Sequence, residues 1–370
     1  DWDEFVAGGS PQVLEKAHQS LEDLSADDVS DIIFTSGTTG DPKGVITCHG
    51  QNVQTYRQWA QAVGLRSSDR YLILWPFFHC SGYKSGWLAS FIAGATIYPE
   101  PVLDIPRLRR TVEAEGITVM PGPPNLFQTL LADTEQESKK LPVRLAITGA
   151  SSVPPSLIEA MRNELGIESV LAGYGLTETC GTVTMTDMND SPQVIVRSCG
   201  RAIDGVEVRC VDQMNNEVAR GEAGEVVVRG FNVMRGYLDE DEQSGVIDAR
   251  GWLHTGDLAV MDDSGYLTIT DRIKDVYIYG GFNCYPAEIE KIMLTHPNIF
   301  QVAVIGVADE QHGEVGKAFV VLKPDKQSTA EQITTWCRDA MANYKVPRYL
   351  EIIDTLPLNA TGKVQKFKLR

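Results

Sequence analysis

The chain has 370 residues, 43% hydrophobic and 22% charged, and a formal net charge of -17. That length exceeds the roughly 250–300 residues at which a single core stops growing, so two or more domains are expected. The acidic balance argues against a nucleic-acid scaffold and against adhesion to an anionic membrane, and any anionic ligand must be gripped by local donors working against the overall field.

Residues 1–30 are acidic and polar, with a weak helix expected near 11–22. The apolar run "DIIF" reads as a strand and leads into "TSGTTGDPKG", Thr35 to Gly44, which holds three glycines, four hydroxyl side chains, a proline and a lysine. Glycines let backbone N–H groups turn inward and hydroxyls add donors, so the composition suits a loop that grips phosphate. It is not a Walker A loop, which needs glycine before the lysine and Ser or Thr after it. Here Pro42 precedes Lys43 and Gly44 follows it, and Pro42 disfavours helix at Asp41. The segment is therefore not expected simply to cap a helix.

From 71 to about 175, short apolar runs alternate with helical patterns. "YLILW", "ITVMPG", "LAITGA" and "SVLAGYG" read as strands, and "IPRLRRTVEAEG", "PPNLFQTLLAD" and "PPSLIEAMRNELG" as helices. That alternation predicts a parallel sheet with helical crossovers. Near 195 the texture changes to short strands with turns between them, "GVEVRCVD", "GEVVVRG", "WLHTGDLAVMDD" and "GYLTITDR". These predict an antiparallel or barrel-like subdomain over about 195–270. After Asp271 a small α+β domain is expected, with helices at 286–296 and 329–343, strands "VAVIGV" and "AFVVLK", and a Gly/Lys-rich tail. The organisation read this way is a large domain over 1–272 and a small one over 273–370.

Seven scattered cysteines with no CxxC pair argue against structural zinc and for reduced thiols in the cytoplasm. The run "WLASFIAGATIY" is too short to span a bilayer, and no signal peptide is read at the start.

Five further segments carry candidate chemistry. In "GYGLTET" Thr177 could donate to a phosphate, Glu178 could hold Mg2+, and Tyr174 offers a flat face for a base. Asp257 in "HTGD" could accept from ribose hydroxyls, and Arg272 in "DRIKD" could bind ribose or phosphate, with Lys274 where a hinge would lie. His79 in "PFFHCSGYKSG" and Lys363 in "NATGKVQK" are candidates for a pocket wall and a tail contact. Each alone fits a bland reading as well: an exposed acid, an Asp turn, a solvated charge cluster, a core histidine, a basic terminus.

Their order is what carries weight. "TSGTTGDPKG", "YGLTET", "TGD", "DRIKDVYIYGGFNCYPAEIE" and "PLNATGKVQK" resemble, in sequence and spacing, the adenylate-forming acyl-CoA synthetases, a superfamily that includes luciferases and peptide-synthetase adenylation domains. The resemblance covers nearly the whole chain from about residue 25. It implies an α/β adenylate-forming fold with a mobile C-terminal domain, and ATP, Mg2+ and coenzyme A acting with a small carboxylic acid. By resemblance the loop Thr35, Ser36, Gly37, Thr38, Thr39, Gly40 with Lys43 holds the ATP phosphates. Tyr174 stacks on adenine, Thr177 meets the α-phosphate, and Glu178 holds Mg2+. Asp257 and Arg272 contact ribose, Gly149 and Ala150 line the adenine and acyl sites, and His79 lines the acyl pocket. Lys274 is the hinge, and Lys363 bridges carboxylate and α-phosphate.

"FFHCSGYKSG" lacks the Asp by which amino-acid-activating members hold an amine. With "MPGPPNLF" and "PLNATGKVQKFKLR" it resembles a narrower bacterial group among the fatty-acid ligases, which activates the propanoate side chain of an indanedione left by steroid-ring degradation. Family members carry a substantial segment ahead of the phosphate loop, whereas 34 residues precede Thr35 here. The chain is therefore read as a fragment whose large domain leaves apolar surface uncovered. A luciferase-like oxygenase and a non-catalytic nucleotide-binding remnant are the rival readings.

Overall fold

A computed structural model of the chain describes residues 2–35, 42–133, 140–149, 155–238, 245–359 and 362–370. Among these residues the strands form four sheets.

The first strands, β1 (Val29–Thr35) and β2 (Lys43–Cys48), pair antiparallel with Thr35 opposite Lys43. The two strand ends that flank the glycine-rich segment are thus neighbours, in keeping with a loop that does not open a helix.

The main sheet holds β3 (Arg70–Ile73), β4 (Thr96–Pro99), β5 (Val119–Pro121), β6 (Leu145–Gly149) and β7 (Ser169–Tyr174), all parallel. Two short antiparallel strands, β8 (Thr184–Met185) and β9 (Arg201–Ala202), extend one edge, giving the order β4-β3-β5-β6-β7-β8-β9. Helices Ile105–Ala114, Pro124–Ala132 and Pro155–Asn163 supply crossovers. The first begins with Pro106 in its opening turn, and the Asp104 side chain accepts from the Arg107 N–H at 2.7 Å. Successive strand residues point to opposite faces. Tyr71, Ile73, Val119, Leu145 and Leu171 enter one buried cluster, while Leu72, Met120, Ala146, Val170 and Ala172 enter another. Both faces are therefore covered, which is why these strands read as continuous apolar runs. Burying each large aliphatic side chain contributes roughly 1.5–3 kcal/mol.

Four strands between residues 206 and 272 form an antiparallel sheet, β10 (Val206–Val211), β11 (Ala223–Gly230), β13 (Leu253–Met261) and β14 (Leu267–Arg272) in the order β10-β11-β13-β14. The two-residue strand between them, β12 (Gly236–Tyr237), leaves that sheet and pairs with β2. The small C-terminal domain contains β15 (Tyr277–Tyr279), β16 (Phe282–Cys284), β17 (Ile299–Asp309), β18 (Gly313–Leu322) and β19 (Tyr349–Ile352), with helices Pro286–Met293 and Ala330–Ala340.

"WLASFIAGATIY" is mostly helical, turns at Gly94 (φ 74°), and then enters β4. One local expectation needs correction. The helix expected over 329–343 begins at a capping box on Thr329 but stops at Ala340, and Met341 is extended. There the chain is drawn into a separate contact: the Tyr344 ring stacks on Phe282 at 5.0 Å, and its carbonyl accepts from the Cys284 thiol at 3.5 Å.

All seven cysteines are unpaired. Among the described residues no helix is long and apolar enough to cross a membrane. Val29, Ile32 and Phe34 on β1, and Phe91, stand exposed.

Candidate active site

The carboxyl ends of β3, β6 and β7 converge, as parallel α/β sheets favour for ligand sites. After β3 the chain turns at His79, whose Nδ1 accepts from the Ser81 N–H at 3.1 Å, leaving the ring proton on Nε2. Burial first, and then the positive charge of Lys363, push the His79 pKa down, so the ring is neutral near pH 7. The tail lysine thus acts on the β3 turn through its charge, although 284 positions separate them (363 minus 79).

Gly149 closes β6 opposite Gly173, and a Cβ on it would come within 3.1 Å of the Gly173 carbonyl. Ala150 lies outside the described residues. Gly175 permits the fold-back after β7, since a Cβ there would sit 2.3 Å from the Gly181 carbonyl oxygen. Thr177 opens a short 3-10 turn, Thr177–Thr179, with its hydroxyl beside the Cys80 thiol.

Glu178 is held by residues on and just ahead of β12. Its Oε1 accepts from the Tyr237 hydroxyl at 2.8 Å, and its carbonyl accepts from the Met234 N–H at 2.9 Å. The Lys43 ammonium stands 4.7 Å from the Tyr237 ring centroid, a cation–π contact. The Thr35 hydroxyl donates to the Lys43 carbonyl at 3.4 Å. Ser36, Gly37, Thr38, Thr39 and Gly40 lie outside the described residues. Tyr237 was not among the sequence candidates. Its only trace is "RGYL", too short for any periodicity, and it takes its place because β12 crosses to β2.

On the other side, Asp257 and Arg272 are cross-strand partners on β13 and β14. Asp257 is buried. Its Oδ1 lies 3.0 Å from Arg272 Nε, and its Oδ2 accepts from the Tyr174 hydroxyl at 2.6 Å. Burial, reinforced by the Asp257 charge, drives the Tyr174 pKa far above the ordinary tyrosine value, so the phenol stays protonated. Glu225, also absent from the candidates, braces this corner by accepting from the Gly256 N–H at 3.0 Å.

The described tail residues are tied by hydrogen bonds and ion pairs. Asn359 and Lys363 exchange backbone and side-chain hydrogen bonds across a turn, with Gly362 at φ 78°. Lys366 Nζ lies 2.8 Å from the Glu290 carboxylate, and Arg370 donates to the Lys274 carbonyl and pairs with Asp275. Lys274 occupies the third place of a turn closed by the Asp275 N–H on the Arg272 carbonyl, directly after β14. Lys363 keeps an open face to solvent, but its ammonium points into a crowded, cationic corner. Desolvation and then Arg272 and Lys274, offset in part by Asp257 and Asp275, push its pKa down to about 8.

That value sets a pH expectation. Below about 8 the Lys363 ammonium is present, and above it the charge is lost. If the charged form assists the first half-reaction, kcat/KM for pyrophosphate release should fall on the alkaline side with an apparent pKa near 8, because kcat/KM reports the free enzyme. Lys363→Arg should remove that limb, since a guanidinium does not deprotonate in this range. An unchanged limb in the arginine variant would assign the titration to another group.

No cluster of three or more His, Cys, Asp or Glu suited to a metal occurs among the described residues. Mg2+ is commonly bound through one or two carboxylates, phosphate oxygens and water, so a single carboxylate is chemically sufficient, and Glu178 is the one that the family resemblance assigns to it.

Comparison with known proteins is consistent along the whole chain. The AMP-binding enzyme family matches residues 3–238, and the AMP-binding enzyme C-terminal domain matches 288–363. The 3-[(3aS,4S,7aS)-7a-methyl-1,5-dioxo-octahydro-1H-inden-4-yl]propanoyl:CoA ligase of Rhodococcus jostii is 46% identical over 372 residues, covering 100% of this chain and 70% of its own length. The Mycobacterium tuberculosis ligase of the same name is 44% identical, with 100% and 71% covered. Among solved structures, ATP-bound MatB from Rhodopseudomonas palustris superposes with a TM-score of 0.87 at 29% identity, covering 94% of this chain and 69% of that one. The o-succinylbenzoate CoA synthetase of Bacillus subtilis with its acyl-adenylate intermediate gives 0.84 at 30%, covering 94% and 70%.

Proposed function

The chain belongs to the AMP-binding enzyme family, among its AMP-forming acid–CoA ligases, and we propose that the acid it activates is a bicyclic propanoate of steroid origin. The observation that carries the substrate is the gradient of identity. It is 46% and 44% to the two indenyl-propanoyl ligases, against 32–35% to the medium-chain acyl-CoA ligases of vertebrates. We place the reaction in the cytoplasm.

A carboxylate is a poor electrophile. In the first step its oxygen attacks the ATP α-phosphorus, the bond to the bridging oxygen breaks, and pyrophosphate leaves with an acyl-adenylate behind. Both reactants are anionic, so positive charge must be fixed between them. We assign that role to Lys363, with Thr177 donating to the α-phosphate and Lys43 and Thr35 serving the leaving phosphates. Mg2+, when bound, offsets the charge on the phosphate oxygens, and Glu178 would hold it. Asp257 and Arg272 are assigned to the ribose hydroxyls and Tyr174 to the base. Neutral His79 walls the acyl pocket without adding charge beside the carboxylate. In the second step the CoA thiolate attacks the acyl carbon and AMP leaves. We assign the exchange of faces to rotation of the small domain about Lys274, which withdraws the tail carrying Lys363.

The test is AMP release from ATP and Mg2+ with CoA and a panel of acids. The dioxo-octahydroindenyl propanoate should give acyl-CoA with kcat/KM at least about tenfold above medium-chain fatty acids, a margin within reach of an apolar pocket. Turnover of fatty acids alone would overturn the substrate. CoA-independent oxygen uptake with light emission would overturn the ligase assignment in favour of an oxygenase.

A further inference from the structure

Lys84 is a fully buried lysine that none of the roles above uses. It sits in a π-helical turn, Tyr83–Leu88, five positions after His79. Such turns are uncommon and frequently occur at functional sites. Its ammonium reaches the base of the β1–β2 hairpin: Nζ lies 3.1 Å from Asp31 Oδ1 and donates to the Thr47 hydroxyl at 2.9 Å. Asp31 and Thr47 face each other across the hairpin, and the Thr47 hydroxyl donates to Asp31 Oδ1 at 2.9 Å. The other Asp31 oxygen accepts from Asn52 Nδ2 at 2.5 Å, on the helix that follows β2. Three pieces of chain that are distant in sequence are therefore tied at one charge pair. Four residues from this tie, at the far ends of the same two strands, stand Thr35 and Lys43.

A buried ion pair is weak evidence for stability, because desolvation consumes most of its attraction and an apolar replacement often folds as well. What it supplies is a fixed direction. We propose that Lys84 is a positioning residue for ATP: through Asp31 and Thr47 it seats the hairpin against the His79 turn and so aims Lys43 and Thr35 at the outer phosphates. This rests on the assignment of those two residues to the phosphates under Proposed function.

The test compares MgATP and AMP as probes, each measured by calorimetry without acid so that nothing turns over. AMP lacks the outer phosphates, so a purely structural defect should weaken both nucleotides alike. Lys84→Met should raise the Kd for MgATP roughly tenfold while that for AMP changes less than about twofold, since small misplacements of a positioning group carry large factors. Asp31→Asn/Lys84→Met removes both charges and guards against misfolding from one unpaired charge. It should melt close to the wild type yet keep the MgATP defect. Equal weakening of both nucleotides, no weakening of either, or recovery of MgATP affinity in the double variant would each overturn the role of Lys84. Failure of the wild-type protein to bind AMP would instead overturn the nucleotide-site assignment on which it stands.

Discussion

Replacing Lys363 with alanine should lower acyl-adenylate formation by roughly 10²–10³-fold, the usual cost of losing one preorganised donor at a developing charge. CoA transfer from a supplied acyl-adenylate should continue near the wild-type rate. The reason lies in how the lysine is presented. It projects from a tail turn that is held to the small domain by Lys366 and Glu290, and it reaches the His79 and Arg272 corner only because the small domain is docked there. A group delivered by a mobile domain can serve one half-reaction and be absent from the other. Pyrophosphate release measured beside single-turnover thioester formation separates the two. Equal losses in both would remove Lys363 from the first step and favour a structural role for the tail.

Replacing Asp257 with asparagine should weaken ATP and AMP alike by about 10–100-fold, since a hydrogen bond to a charged group contributes roughly 1.5–3 kcal/mol. The amide keeps the shape but loses the charge. Its one remaining carbonyl oxygen cannot satisfy Arg272 at 3.0 Å and the Tyr174 hydroxyl at 2.6 Å together with a ribose. Asp257 is buried on a strand whose register pairs it with Arg272, so its geometry is set before any ligand arrives. Equal weakening of the two nucleotides distinguishes this site from the hairpin governed by Lys84, where only ATP should suffer. A lowered melting temperature with unchanged nucleotide affinity would make Asp257 a structural residue only.

The proposed hinge is less simply probed than its sequence suggests. Lys274→Pro would look like a direct lock, but Lys274 holds the third place of the Arg272–Asp275 turn. Proline is disfavoured there because it forces the preceding residue out of the helical region. Such a variant would disturb the docked pose as well as the swing.

The parallel strands, their crossover helices and the change to antiparallel texture near 195 were legible in the sequence because each rests on local patterns. Leu72 and Ile73 sit on opposite faces simply by alternation, and Pro106 opens its helix whatever lies across from it. The separate motifs were legible too, by residue type and by order. What no local pattern carries is which of them meet. Asp257 and Arg272 become partners only through the β13–β14 register, and Tyr237 reaches Glu178 only because β12 abandons its neighbours to pair with β2. Lys363 acquires its lowered pKa from desolvation and then from Arg272 and Lys274, 91 and 89 positions away in the chain, and Lys84 is a charge on an apolar segment until Asp31 stands opposite it. Periodicity and turn chemistry are properties of a few consecutive residues. Pairing, desolvation and the direction of a buried charge are properties of segments that come together only when the chain has folded.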